Sequence, residues 1–114
     1  MHEVGLILRA LDLATATARD SGASRIYRLT FSIIPGGHID AEGVGVLFPV
    51  LSRGTMAEGA AIEFEPRITD RYCLSCARAF RASGNDHGCP RCGQDGFLPP
   101  DLAELALTSV EVGD

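Results

Sequence analysis

No run in this 114-residue sequence approaches the roughly 18 consecutive apolar residues that mark a membrane-spanning helix, so insertion into a bilayer is not expected. An export signal is missing as well: the only early charges are Glu3 and Arg9, and Arg9 and Asp12 break the apolar run. An excess of positive charge is missing too. The formal net charge of −5 argues against a general nucleic-acid binder, which needs a strongly basic surface. There is no internal repeat and no low-complexity tract. What is present is ordinary globular composition, 46% hydrophobic and 22% charged, in a chain that fits one small domain or one domain with a small metal-stapled appendage. A chain this short buries a modest core, so a cross-link would help to stabilise it. With no export signal, the four cysteines are expected to be reduced and metal-bound rather than disulfide-paired, and the expected location is cytoplasmic.

Hydropathy patterning predicts an α+β fold. From His2 to about Arg19 the apolar residues Val4, Ile7, Leu8, Leu11, Ala14 and Ala18 recur at spacings that place one stripe along a helix. The helix ends at Ser21-Gly22-Ala23-Ser24. Arg25 to Ile34 alternates, with Tyr27, Leu29, Phe31 and Ile33 on one face and Arg28, Thr30 and Ser32 on the other, and stops at Pro35-Gly36-Gly37. Asp40 can cap a second helix with inner face Val44, Leu47, Phe48 and Leu51. Gly43 and Gly45 weaken that helix and Pro49 removes a backbone donor, so a kink or a late start is expected, with Gly54 as terminator. A strand near Ala60 to Pro66 alternates Ile62 and Phe64 with Glu63 and Glu65. After the cysteine segment and the Pro99-Pro100 break, a last strand runs from about Glu104 to Val112. Its apolar phase slips between Leu105/Leu107 and Val110/Val112, which a bulge near Thr108-Ser109 or burial on both faces would explain. The expected architecture is a small three-stranded sheet with two helices, plus an inserted four-cysteine zinc module: residues 1–68 and 101–114 form the base domain and 69–100 the zinc domain.

Cys73-Leu74-Ser75-Cys76 and Cys89-Pro90-Arg91-Cys92 are two C-x-x-C turns separated by twelve residues. Each turn can point two thiolates at one ion about 2.3 Å away, and two turns complete a tetrahedron. Gly93 follows the second pair, where a tight knuckle often needs a positive φ. Four thiolates suit Zn(II) and leave no open coordination position, which indicates structural rather than catalytic metal. Redox dithiols and a rubredoxin-like iron site are the rival readings.

The opening Met1-His2-Glu3 offers different chemistry. Methionine is removed chiefly before small residues, so Met1 is expected to stay. Its amine, the His2 amide and the His2 imidazole could then form adjoining chelate rings, a nitrogen-rich planar set that favours Ni(II) or Cu(II) over Zn(II). Glu3, or a histidine from elsewhere, could fill the remaining position. Equally, Glu3 suits the N-terminus of a helix for electrostatic reasons alone.

Taken together, Met1-His2-Glu3, the helix-strand-helix-strand order, the two C-x-x-C pairs with Cys89-Pro90-Arg91-Cys92-Gly93, and the closing Ser109-Val110-Glu111-Val112 resemble the HypA/HybF family over essentially the whole chain. These are nickel metallochaperones of hydrogenase maturation and, in some organisms, of urease. The resemblance implies a non-enzymatic function: Ni(II) bound as transient cargo at His2 with Glu3, and delivered for maturation of nickel–iron hydrogenase. It further implies structural Zn(II) at Cys73, Cys76, Cys89 and Cys92. The partners implied are a hydrogenase maturation GTPase and the hydrogenase large-subunit precursor. Pro49 within the second helix and the Pro35-Gly36-Gly37 turn depart from what the family leads one to expect, and neither touches a metal residue.

The alternative is a zinc-ribbon module for protein or nucleic-acid interaction, without a nickel role. Residues 67–92 carry five arginines against Asp70 and Asp86, but four thiolates with one Zn(II) add two negative charges. One net positive charge is left, too little to track phosphates. Tyr72, Phe80 and Phe97 are expected to pack on the knuckles rather than stack on bases. A thiol oxidoreductase would need a zinc-free, redox-active form. His38 reads as a solvated turn residue, and His87 could pack on a knuckle or donate to a cysteine sulfur. Neither is assigned to a metal site.

Overall fold

In the computed structural model, residues 2–34, 38–82, 88–98 and 104–114 are described, His2 by its backbone alone. The Pro35-Gly36-Gly37 turn, His87 and the Pro99-Pro100 break lie outside them. The first helix, α1 (His2–Asp20), opens with Glu3 in its first turn and carries Arg19 in its last, each matched to the helix dipole. Ile7, Ala10, Leu11, Ala14 and Ala18 are its buried stripe. Leu8 does not belong to that stripe: it lies about 100° round the helix from Ile7 and is exposed. The helix ends as a Schellman motif. Gly22 takes φ 76°, the Ala23 N–H donates to the Ala18 carbonyl at 2.9 Å, and the Gly22 N–H donates to that of Arg19 at 3.0 Å.

Strand β1 (Arg25–Ile33) is the centre of a three-stranded sheet, with β2 (Ala61–Pro66) parallel on one side and β5 (Leu105–Gly113) antiparallel on the other. Helix α2 (Ala41–Leu51) makes the crossover between β1 and β2. Two bulges set the register of β1 and β5. At the first, Tyr27 is the extra residue, which puts Ile26 and Leu29 on the same buried face and turns Tyr27 outward. The simple alternation placed Tyr27 inside. Instead its ring lies against Gly113, where an added Cβ would be 2.7 Å away, and its hydroxyl donates to the Asp114 carbonyl at 2.6 Å. At the second bulge Thr108 is extra, and its hydroxyl donates to the Thr30 carbonyl at 3.2 Å. That bulge resolves the phase slip: Leu105, Leu107, Val110 and Val112 all pack against one core.

Helix α2 starts at Ala41, immediately after the Asp40 cap, whose Oδ1 accepts from the Gly43 N–H at 2.7 Å. The late start expected from Pro49 does not occur. Pro49 stands two residues before the end of the helix, so a single bond is lost, the one to the Gly45 carbonyl, and the helix runs on to Leu51. The helix closes on Ser52 rather than Gly54, which takes φ 75° in the turn that follows. Val44 and Phe48 are fully inside, and Leu47 and Leu51 are partly buried against the same core. Phe31 joins the layers, meeting Phe48 edge-on at 6.5 Å and stacking on Phe64 at 5.9 Å. No described helix is long and apolar enough to cross a membrane.

The cysteine segment builds a second, separate sheet. Strands β3 (Thr69–Cys73) and β4 (Arg78–Ala82) pair as an antiparallel hairpin, and Tyr72 pairs on its other side with Phe97. Among the described residues the architecture is thus α+β, with two helices on a small mixed sheet and four cysteines gathered from the hairpin and from the segment that follows it.

Candidate metal centre

Cys73 closes β3 and Cys76 lies in the turn to β4; Cys89 and Cys92 belong to a second turn braced by the Gly88–Asp95 bridge. The two turns share one backbone feature. The residue after the second cysteine has a positive φ in each, 51° at Ala77 and 82° at Gly93. Gly93 adopts this conformation without strain; Ala77 does not, and an alanine gave no sequence signal for it. In the second turn the Gly93 N–H donates to the Cys89 carbonyl at 2.7 Å and the Cys89 N–H to the Gln94 carbonyl at 2.8 Å. The Ser75 hydroxyl meets the Gln94 side-chain oxygen at 2.5 Å, tying one turn to the other.

None of the four cysteines is paired in a disulfide, and their Sγ atoms lie within 4.8 Å of one another. Cys73 and Cys92 are 3.5 Å apart and Cys76 and Cys89 4.0 Å. A tetrahedral ion with sulfur at about 2.3 Å requires sulfurs about 3.8 Å apart, between those two values. The donor set therefore fits Zn(II). Cys73 and Cys89 are buried while Cys92 faces solvent. The backbone N–H groups of Cys92 and then Arg91 hold the Cys89 thiol down to about 7. Burial, then hydrogen bonding with the other cysteines, pushes Cys76 up to about 12. A divalent ion would remove that conflict by replacing the shared protons.

The module's interior is small. Phe80 packs beside Cys73, Ala82 and Cys89, and buried Arg71 donates from Nη1 to the Gly96 carbonyl at 3.0 Å. Of the three aromatics expected on the knuckles only Phe80 is inside. Tyr72 is 43% and Phe97 60% exposed, because their paired positions fall on the outer face of the hairpin.

At the other end of the chain, the Met1 amine and the His2 imidazole lie outside the described residues. Glu3 is described, and its carboxylate sits across from the first turn of α2: a Cβ added to Gly43 would lie 2.6 Å from Glu3 Oε2 and 3.2 Å from Asp40 Oδ1. Two carboxylates thus converge at the positive end of α2. The position of Asp40 relative to Glu3 had no sequence signal beyond its suitability as a cap. His38 is exposed, as expected of a turn residue, yet it is not free. Its Nδ1 is 3.0 Å from Glu104 Oε1, which links the approach to α2 with the start of β5.

Comparison with known proteins agrees with this geometry. The family described as hydrogenase/urease nickel incorporation, metallochaperone, matches residues 1–112. Hydrogenase maturation factor HypA of Aeromonas salmonicida is 26% identical over 112 residues, covering 98% of this chain and 99% of that protein. The Chlorobium limicola factor is 34% identical over 92 residues, 81% of this chain and 79% of that one. The solution structure of the Ni metallochaperone HypA from Helicobacter pylori is similar in fold, with a TM-score of 0.68 at 18% identity and 97% of both chains covered.

Proposed function

The chain belongs to the HypA family of hydrogenase/urease nickel-incorporation metallochaperones, and on that premise we propose that it binds Ni(II) at its N-terminus and delivers it for maturation of nickel–iron hydrogenase, or of urease. The observation that carries the reading is the family match over residues 1–112, which spans Met1-His2-Glu3 and both C-x-x-C pairs. The Met1 amine with the His2 amide and imidazole supplies the nitrogen donors nickel prefers. Glu3 adds an oxygen donor beside them, and its seat against α2 supports a terminus held on the body of the domain.

Delivery requires release. A terminal site with few protein ligands binds nickel selectively and lets it go, whereas a closed set of four thiolates would not. The second site therefore takes the resident ion: Zn(II) at Cys73, Cys76, Cys89 and Cys92, holding residues 69–100 as a module beside a base domain of residues 1–68 and 101–114. The partners are a maturation GTPase and the hydrogenase large-subunit precursor, and the setting is cytoplasmic. In this reading the chain is a carrier of nickel and not an enzyme.

The test is transfer. Protein loaded with radiolabelled nickel and mixed with the precursor and the GTPase should pass label to the precursor, while His2→Ala protein should pass none. Equal transfer by both proteins would reject the reading.

A further inference from the structure

We propose that Gly43 is a positioning residue for the metal-binding terminus: its absent side chain makes the seat that holds the Glu3 carboxylate beside Asp40 at the first turn of α2. This deepens the reading of the terminus as the nickel site and rests on it.

Helix α2 carries two glycines, Gly43 and Gly45, although glycine is a poor helix former. The two differ sharply in their surroundings. A methyl group added at Gly45 would meet nothing within 4 Å. The same group at Gly43 would stand 2.6 Å from Glu3 Oε2, far inside van der Waals contact, and 3.2 Å from the capping Oδ1 of Asp40. The seat also has an electrostatic reason to attract a carboxylate, since it lies at the positive end of α2. There the first turn of α1 comes up against the first turn of α2, immediately beside His2. Helix termini fray unless tied down, and an untied terminus must be ordered at the moment it binds metal, which lowers affinity.

The clash also shows what would move. Glu3 Oε2 is the far end of a flexible side chain, so a methyl group at Gly43 would push the carboxylate out of its seat and leave the backbone in place. Gly43→Ala is thus a displacement of Glu3 made from a distance, which moves that donor and leaves the chemistry of every donor intact, and Gly45→Ala is its control in the same helix.

The experiment uses the full, zinc-loaded chain with its native terminus, titrated with Ni(II) by calorimetry and melted without nickel. Gly45→Ala should melt a few degrees higher, as expected of glycine-to-alanine in a helix, with nickel affinity within twofold of native. Gly43→Ala should bind nickel on the order of tenfold more weakly while its melting temperature does not fall. In a Glu3→Ala background, where the clash with Glu3 is gone and only the 3.2 Å contact with Asp40 remains, Gly43→Ala should change nickel affinity less than twofold. Gly43→Ala that matches Gly45→Ala, or that weakens nickel equally with and without Glu3, would overturn the proposal. His2→Ala separates the two levels. If it leaves nickel binding intact, the terminal site itself fails and Gly43 with it. If it abolishes binding and Gly43→Ala is neutral, only the positioning role fails.

Discussion

Of Gly93 and Gly96 in the proposed zinc module, Gly96 is the more sensitive to a single methyl group. A Cβ built there would lie 2.6 Å from two ring atoms of Phe80 and 2.7 Å from the Cβ of Arg71. Neither neighbour can retreat cheaply. Phe80 fills the space beside Cys73, Ala82 and Cys89, and Arg71 is buried with its guanidinium on the Gly96 carbonyl. Overpacking of this kind costs about 1–3 kcal/mol. Because metal binding in so small a module is largely its folding energy, a cost of about 2 kcal/mol should weaken zinc binding about 30-fold. Gly93→Ala supplies the contrast. It meets no atom within 4 Å but must hold φ 82°, so about 1 kcal/mol and a five- to tenfold loss are expected. Competition against a chromophoric chelator reads both affinities directly. A Gly96→Ala protein that binds zinc within twofold of native would refute the packing argument.

Three further outcomes are expected. Purified under reducing conditions, the chain should hold one zinc, and loading at pH 7 should release protons from the cysteine thiols, among them Cys76 and Cys92, whose thiols are raised; calorimetry in buffers of different ionisation enthalpy counts them, and loading that releases none would contradict a thiolate site. Acid should release nickel before zinc, since a site built on imidazole weakens as pH falls below about 6.5 while four cooperating thiolates hold on; metal retained after desalting at stepped pH measures the order, and simultaneous loss would count against two distinct sites. Extending the chain by one or two residues before Met1 should weaken nickel binding, because the free amine becomes a peptide nitrogen, and unchanged affinity would reject the amine as a ligand.

Where local chemistry decides the structure, the residues announce it. The cap at Asp40, the Gly22 terminator, the bulge at Thr108 and the positive φ of Gly93 could each be read from a few neighbouring positions. The misses have equally particular causes. The β3–β4 hairpin is hidden because Arg71 occupies a buried position of β3, breaking the apolar alternation that signals a strand. Tyr27 reads as an inner residue until the bulge it creates turns it outward. Pro49 looks disruptive until its place in the last turn of α2 is known. The four cysteines declare themselves by spacing alone. The seat of Glu3 does not, since it depends on a missing side chain at Gly43, forty residues away in sequence.

The central claim is a nickel site at the chain's own N-terminus, separate from the thiolate site. Its most direct test is calorimetric titration of Ni(II) into the zinc-loaded, native-terminus protein beside His2→Ala, with zinc content and the ligand-field absorption followed in both. The native protein should bind one equivalent with the absorption of a planar nitrogen-rich site, and His2→Ala should lose that binding while keeping its zinc. Undiminished nickel binding in His2→Ala would contradict the account.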